Sequence, residues 1–346
     1  MFFFFLLTIA FVCQQNAFGQ NKPLSAKDLY AAKVYTSLAE ALEEPDKVYK
    51  LDIAYCSLSE LPSEIVELKK LQVLYLSENK LTRLPKEIGE LKNLQILQLD
   101  DNKLTTLPPE IGQLHYLQTL GLQKNKIKKL PPEIGNLINL QVLLLSENQL
   151  TALPVELTKL QCLQQLDVSF NQLTSFPAQA KWTTLDILML ANNKLTTLPN
   201  ELFRLKGLEE LYLDDNDLSA FPAGIWELPS LKVFSCANNQ LSALPVQIGK
   251  LLNLTKLYVS KNKIPILPTE IGGLINLQIL DCSYNFLSAL PPEISRLQKL
   301  TDLNLKYNKL SALPIGFGKL TKLQTLGLKN NLFGVLPENF GKTQIY

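Results

Sequence analysis

The chain has 346 residues, with 34 Lys and Arg against 32 Asp and Glu, one His and a formal net charge of +2. The two signs are interspersed, so no block of one charge exists to draw the chain onto nucleic acid or an anionic membrane surface. The length would hold roughly two or three ordinary domains, but a short internal period that runs almost to the C-terminus replaces that expectation with one elongated array.

The chain opens with MFFFFLLTIAFVCQQNAFG, an uncharged apolar run followed by a polar stretch ending in Ala17, Phe18 and Gly19. The run is shorter than the roughly 20 residues a membrane span needs. It reads as a secretory signal over residues 1–19, cleaved after Gly19, although no Lys or Arg precedes the apolar part. The expected destination is therefore secretion or the cell surface. Cys13 offers a second route, lipidation and anchoring, against which stands the bulk of Val12 just before it. An uncleaved anchor is the third reading.

Residues 20–47 form a helical cap in this reading. Ser25 can cap a helix with Asp28 three residues on, and Tyr30, Val34, Leu38 and Leu42 make one apolar stripe before Pro45 stops it. A repeat array has an open first edge, and an amphipathic helix laid beside it serves as a lid.

Residues 48–346 carry the repeat, about 13 units long. Leu71 to Leu94, LQVLYLSENKLTRLPKEIGELKNL, returns at Leu94 as LQILQLDDNKLTTLPPEIGQLHYL, and so on. An Asn recurs at Asn79, Asn102, Asn125 and onward to Asn331, with Cys56 in its place in the first unit. The step is 23 residues except from Asn171 to Asn193, where it is 22. A Pro follows each of these positions by six residues, from Pro62 to Pro337. Apolar and variable residues alternate in Val73-Leu74-Tyr75-Leu76-Ser77, which predicts a short strand with Leu74 and Leu76 buried. Asn79 then stands where its amide can pair with backbone groups of adjacent turns. Pro85 opens a short helical piece whose Ile88, Leu91 and Leu94 recur every three residues, and Gly89 permits close packing there.

The phased LxLxxNxL and LPxEIGxLxxL segments resemble the leucine-rich repeat family, in particular exported repeat proteins of spirochaetal bacteria and Ras-interacting leucine-rich repeat proteins. The likeness covers about residues 48 to 340, and with the signal peptide the bacterial group is the nearer. It implies an α/β solenoid, a right-handed leucine-rich repeat horseshoe with a parallel concave sheet and short convex helices. It also implies a noncatalytic scaffold that binds a protein partner.

Two places depart from the period. PAQAKWTTL, Pro177 to Leu185, lacks the EIGxL segment, and Trp182 is expected to fill the gap as packing. After Pro337 no closing helix is visible, so the last strand edge is expected to be poorly covered and to invite edge-to-edge self-association.

No sequence pattern here supplies catalytic chemistry, a cofactor site or a metal site. His115 sits alone between Leu114 and Leu117 and reads as a solvated loop residue. Cys56, Cys162, Cys236 and Cys282 all fall at repeat positions and read as small core residues without a bridge. Asp214, Asp215 and Asp217 surround Asn216, a frame residue, and read as a solvated acidic patch. The basic run Lys124, Lys126, Lys128 and Lys129 reads as a solvated turn, and Val73, Ile96 and Val142 as β-branched strand packing. Specificity must lie in the outward strand positions, where Tyr and Asp stand out. The candidate partner-binding residues are Tyr75, Asp100, Asp167, Tyr212, Asp214 and Tyr258, with Tyr284 and Tyr307 beside them. Tyrosines on a rigid sheet give contact area at low rotamer cost, and the acids suit a partner with basic groups.

Overall fold

Except at Pro177, after which no 3-10 segment is described, the periods fold into the same three pieces: a three-residue strand, a turn that ends at the recurring Asn, and a 3-10 segment that opens after the recurring Pro. The computed structural model describes residues 23–178, 182–334 and 344–345. The signal segment with Cys13, and Pro337, lie outside them.

The chain clusters into two compact units, one running to Asn171 with Ala180–Thr184, the other comprising Gln172–Gln179 and Leu185 onward. In the first, β1 (Val34–Tyr35), β2 (Lys50–Asp52), β3 (Val73–Tyr75), β4 (Ile96–Gln98), β5 (Thr119–Gly121), β6 (Val142–Leu144) and β7 (Gln165–Asp167) pair in chain order, all parallel. In the second, the same holds for β8 (Ile187–Met189), β9 (Glu210–Tyr212), β10 (Val233–Ser235), β11 (Lys256–Tyr258), β12 (Ile279–Asp281), β13 (Asp302–Asn304), β14 (Thr325–Gly327) and β15 (Gln344–Ile345). The register advances by one period per strand, Leu74 opposite Leu97 and Leu257 opposite Leu280. The central residue of each three-residue strand, Leu throughout except Phe234 in β10, is fully buried.

The helical pieces of the array are 3-10 rather than α. After Pro85 the bonds run Ile88 N to Pro85 O (3.1 Å), Leu91 N to Ile88 O (3.2 Å) and Leu94 N to Leu91 O (3.0 Å). The three-residue apolar period is that of a 3-10 helix. Geometry favours the thinner form: neighbouring strands lie about 4.8 Å apart, whereas an α-helix with its side chains is about 10 Å across. Packing between these segments is close, and a Cβ added at Gly112 would stand 2.5 Å from the Glu133 carbonyl oxygen.

The Asn column is built as its spacing implies. Asn102 Nδ2 donates to Leu99 O (3.0 Å) in its own turn and to Leu76 O (2.9 Å) in the turn before, while Oδ1 accepts from Leu81 N (3.0 Å). Asn262 repeats the set with Val259 O, Cys236 O and Leu241 N. Cys56 does not behave as a core residue. It is exposed, with its thiol near Ala54 O at 3.3 Å, because an apolar thiol has no amide to bridge turns. Cys236 and Cys282 are buried and unbridged, each just after its strand, β10 or β12, with β11 between them. Cys162 is buried and is not among the free thiols, which corrects the expectation of four unbridged thiols.

Both ends differ from the sequence reading. In place of one helix from Ser25 to Glu44 there are two, α1 (Ala26–Ala31) and α2 (Leu38–Glu43), with β1 between them. Ser25 caps α1 through Asp28 N as expected (3.2 Å), and Ser37 caps α2. Tyr30 and Val34 are exposed, so the four-residue stripe is not a buried face, whereas Tyr35, outside the stripe, is buried. The edge of β2 exposes backbone donors and acceptors, and pairing with Val34–Tyr35 satisfies them. At the other end β15 pairs with β14, Thr325 opposite Gln344 and Leu326 opposite Ile345. The last repeat strand is thus paired with Gln344–Ile345 rather than left bare. Trp182 is buried at 1% exposure and donates from Nε1 to Leu157 O (3.2 Å), as a packing residue would.

Candidate interaction surface

Alternation along each strand sends the residues flanking the central Leu to the face away from the core, and the parallel register lines them up in columns. In the first unit one column runs Tyr75, Gln98, Gly121, Leu144 and continues to Asp167 on β7. In the second it runs Met189, Tyr212, Ser235, Tyr258, Asp281 and Asn304. Two residues further along each turn, Asp100 and Asp214 stand at equivalent places in their own units.

The candidates therefore fall into three groups. Tyr212 and Tyr258, both half-buried, flank Ser235, which is small and 5% exposed, so only a hydroxymethyl group stands between the two tyrosines in the column. Tyr212 donates to Glu210 Oε2 at 2.8 Å, and burial, then this bond, push its phenol pKa up. Burial also raises the Tyr258 phenol. Tyr75 and Asp167 lie in the corresponding column of the first unit, where burial raises the Tyr75 phenol.

The Asp residues are less available than the sequence suggests. Asp214 accepts from Ser235 Oγ and from Ala237 N (2.9 Å), Asp100 from Gln123 N (2.8 Å), and Asp167 from Ser169 N (2.9 Å). Each therefore holds a turn as well as presenting charge. Burial pushes the Asp100 carboxyl up to about 6, against the Gln123 hydrogen bond, which pulls it down. The Asp214 carboxyl is raised by the same cause. Asp215 accepts from Asn238, so the acidic patch is tied into the turns rather than loosely solvated.

Tyr284 and Tyr307 belong to a third column, the residue before each recurring Asn. Every turn there adopts positive φ, 52° and 55° at these two tyrosines. Exposed Tyr55 and Phe170 occupy the same place in the first unit. The two tyrosine rings stack with centroids 4.1 Å apart and planes 12° from parallel. Their hydrogen bond raises the Tyr284 phenol.

Sequence reasoning missed Ser235, the small residue between the two tyrosines, and Gly121, whose missing side chain leaves room that Gln98 fills. A Cβ at Gly121 would fall 1.7 Å from Gln98 Oε1, a buried acceptor that finds no hydrogen-bond partner among the described residues. Counting outward positions through all units by the fixed period would have found both. His115 is exposed, with its carbonyl accepting from Asn139. Among the described residues no group of three or more His, Cys, Asp or Glu is placed to hold a metal ion, and no helix is long and apolar enough to cross a membrane.

Comparison with known proteins agrees with this architecture. The model described as leucine-rich repeat region matches residues 86–176 and 246–339, and the one described as leucine rich repeat matches 46–111 and 183–241. A leucine-rich repeat protein of Leptospira interrogans is similar at 36% identity and TM-score 0.61, over 91% of this chain and 99% of that one. The plant peptide hormone receptor RGFR1, solved in complex with RGF2, is similar at 32% identity and TM-score 0.74, over 86% of this chain and 50% of the receptor chain. An internalin of Listeria monocytogenes shares the fold at 24% identity and TM-score 0.78, over 88% of this chain and 87% of that one. No curated protein matches the chain.

Proposed function

Because this chain belongs to the leucine-rich repeat family, whose members generally mediate protein–protein interaction, we propose that it is a noncatalytic scaffold that binds a protein partner across the outward face of its strands. The observation that carries the reading is the Tyr212–Ser235–Tyr258 column, two tyrosines on a fixed register flanking a small residue. Such a column offers rigid aromatic area against which a partner side chain can pack. The plant receptor's solved complex supports the use of this fold for ligand capture. The test replaces Tyr212→Ala with Tyr258→Ala and leaves Asp214 intact, since its carboxylate holds the Ala237 turn. After crosslinking capture from the native surroundings, the double variant should recover the dominant partner about tenfold less well with an unchanged circular dichroism spectrum. Undiminished recovery moves the interface elsewhere.

The scaffold acts outside the cytoplasm in this reading, on the strength of the apolar, uncharged segment that ends at Gly19. Mass spectrometry of the mature protein distinguishes a start at Gln20 from a lipid on Cys13, and an intact Met1 defeats both.

A further inference from the structure

The fixed turn geometry also builds a second surface, at the edge of the sheet rather than on its face. Four consecutive turns, from Ser260 to Leu332, each present three positions there: the residue before the left-handed one, that residue itself, and the residue after the recurring Asn. The turns are held together by Lys261 N to Ser283 O (2.9 Å), Tyr284 N to Lys306 O (2.8 Å) and Tyr307 N to Lys329 O (2.9 Å). Five of the twelve positions are Lys, at 261, 263, 306, 309 and 329, and none is Asp or Glu. Elsewhere the pattern reverses, with Asp214, Asp215 and Asp217 filling all three positions of one turn. Among these lysines stand Tyr284, Phe286, Tyr307 and Leu332, exposed at 46%, 47%, 41% and 66%.

The frame does not ask for these aromatics. Left-handed backbone favours Asn, which Asn192, Asn238 and Asn330 supply in the same column. A bulky ring there gains no core burial, yet the Tyr284 and Tyr307 rings stack, and Lys309 Nζ sits 4.8 Å from the centroid of the Phe286 ring. The result is an ordered apolar strip bordered by positive charge. Three steps between turns span about 14 Å, the reach of roughly four to five residues of extended chain.

We propose that this edge binds an extended peptide segment in which acidic residues alternate with aromatic or aliphatic ones. Its carboxylates would meet the lysines while its apolar side chains cover Phe286, the tyrosine pair and Leu332. A nucleic acid fits less well, because the two rings are closed on each other and leave no slot for a base, and the whole chain carries only +2. The inference stands apart from the strand-face reading, since it uses neither Tyr212 nor Tyr258.

The test is fluorescence anisotropy of the full chain with a labelled peptide of sequence Asp-Tyr-Glu-Leu-Asp-Phe-Glu. A version with Lys at every acidic position, a heparin oligosaccharide, a single-stranded DNA and phosphatidylglycerol vesicles serve as competitors. The acidic peptide should bind and weaken as salt rises. Tyr284→Asn with Tyr307→Asn, a pair suited to the left-handed backbone, should weaken it about tenfold, as should Lys306→Glu with Lys329→Glu. Tyr212→Ala with Tyr258→Ala should leave it unchanged, which separates failure here from failure of the strand-face reading. The proposal is overturned by absence of binding, by binding indifferent to the tyrosine pair, by preference for heparin, DNA or vesicles, or by light scattering that shows two copies of the chain burying this edge.

Discussion

One asparagine amide per turn does three jobs, and its removal shows how much the frame depends on it. Asn262→Ala leaves the buried amide of Leu241 without its acceptor and takes one of two side-chain bonds from Cys236 O and Val259 O, which keep those of Asn239 and Asn285. At about 1–3 kcal/mol for one unpaired buried group, the loss should reach roughly 1–3 kcal/mol in urea unfolding. The same substitution at exposed Asn238, the residue before the recurring Asn239, should cost under about 1 kcal/mol. Asp100 makes a different prediction. Its folded pKa of about 6 lies above its ordinary value of 3.8, because burial disfavours the carboxylate. Its contribution to stability is therefore fully present in acid and is lost as pH rises from about 4 through about 6. Asp100→Asn should remove that decline, so a plot of Tm against pH for the variant should lie above wild type near neutrality and converge with it at about pH 4. A gap that widens in acid would reverse the assigned sign.

At the scale of the element, the repeat was open to reading and its two ends were not. Leu74, Asn79 and Pro85 recur in phase, so each copy supports the same assignment of strand, bridge and 3-10 start. The α-like stripe of Tyr30, Val34, Leu38 and Leu42 had no such support, and the need of β2 for a partner drew Val34 and Tyr35 into a strand. Of the site, the tyrosines and acids were visible by residue type. The anchoring of Asp100, Asp167 and Asp214 in turns was not, because their partners are backbone amides that any sequence would carry. The glycines of the 3-10 segments supply a test. Gly112→Ala drives a Cβ to 2.5 Å from backbone, which cannot yield cheaply, and should cost about 1–3 kcal/mol or more as in overpacked cores. Gly318→Ala meets nothing within 4 Å and should be neutral or stabilising by up to about 1 kcal/mol. Equal effects would mean that close approach is not what places glycine there.

Across the whole chain, stability is shared between neighbours: each strand pairs only with the strands one period away. Damage should accordingly stay local. In native-state hydrogen exchange, Asn262→Ala should lower protection in β10, β11 and β12 first and leave β3 and β4 near their original values. A uniform loss along the chain would show that it opens as a single cooperative body. Such locality also lets the strand face and the lysine-rich edge be altered one at a time, which the paired variants above exploit.

The Asn column has one further consequence, for chemical ageing. An asparagine deamidates when the backbone nitrogen of the next residue swings round to attack its side-chain carbonyl carbon. Asn102, Asn125 and Asn285 are each held by bonds from both ends of the amide, to turns on two levels. That attack would require the turn to come apart first. The slow clock that shortens the life of many asparagine-rich chains is thereby stopped at the positions where a new negative charge would do most harm, and left to run at exposed ones such as Asn330.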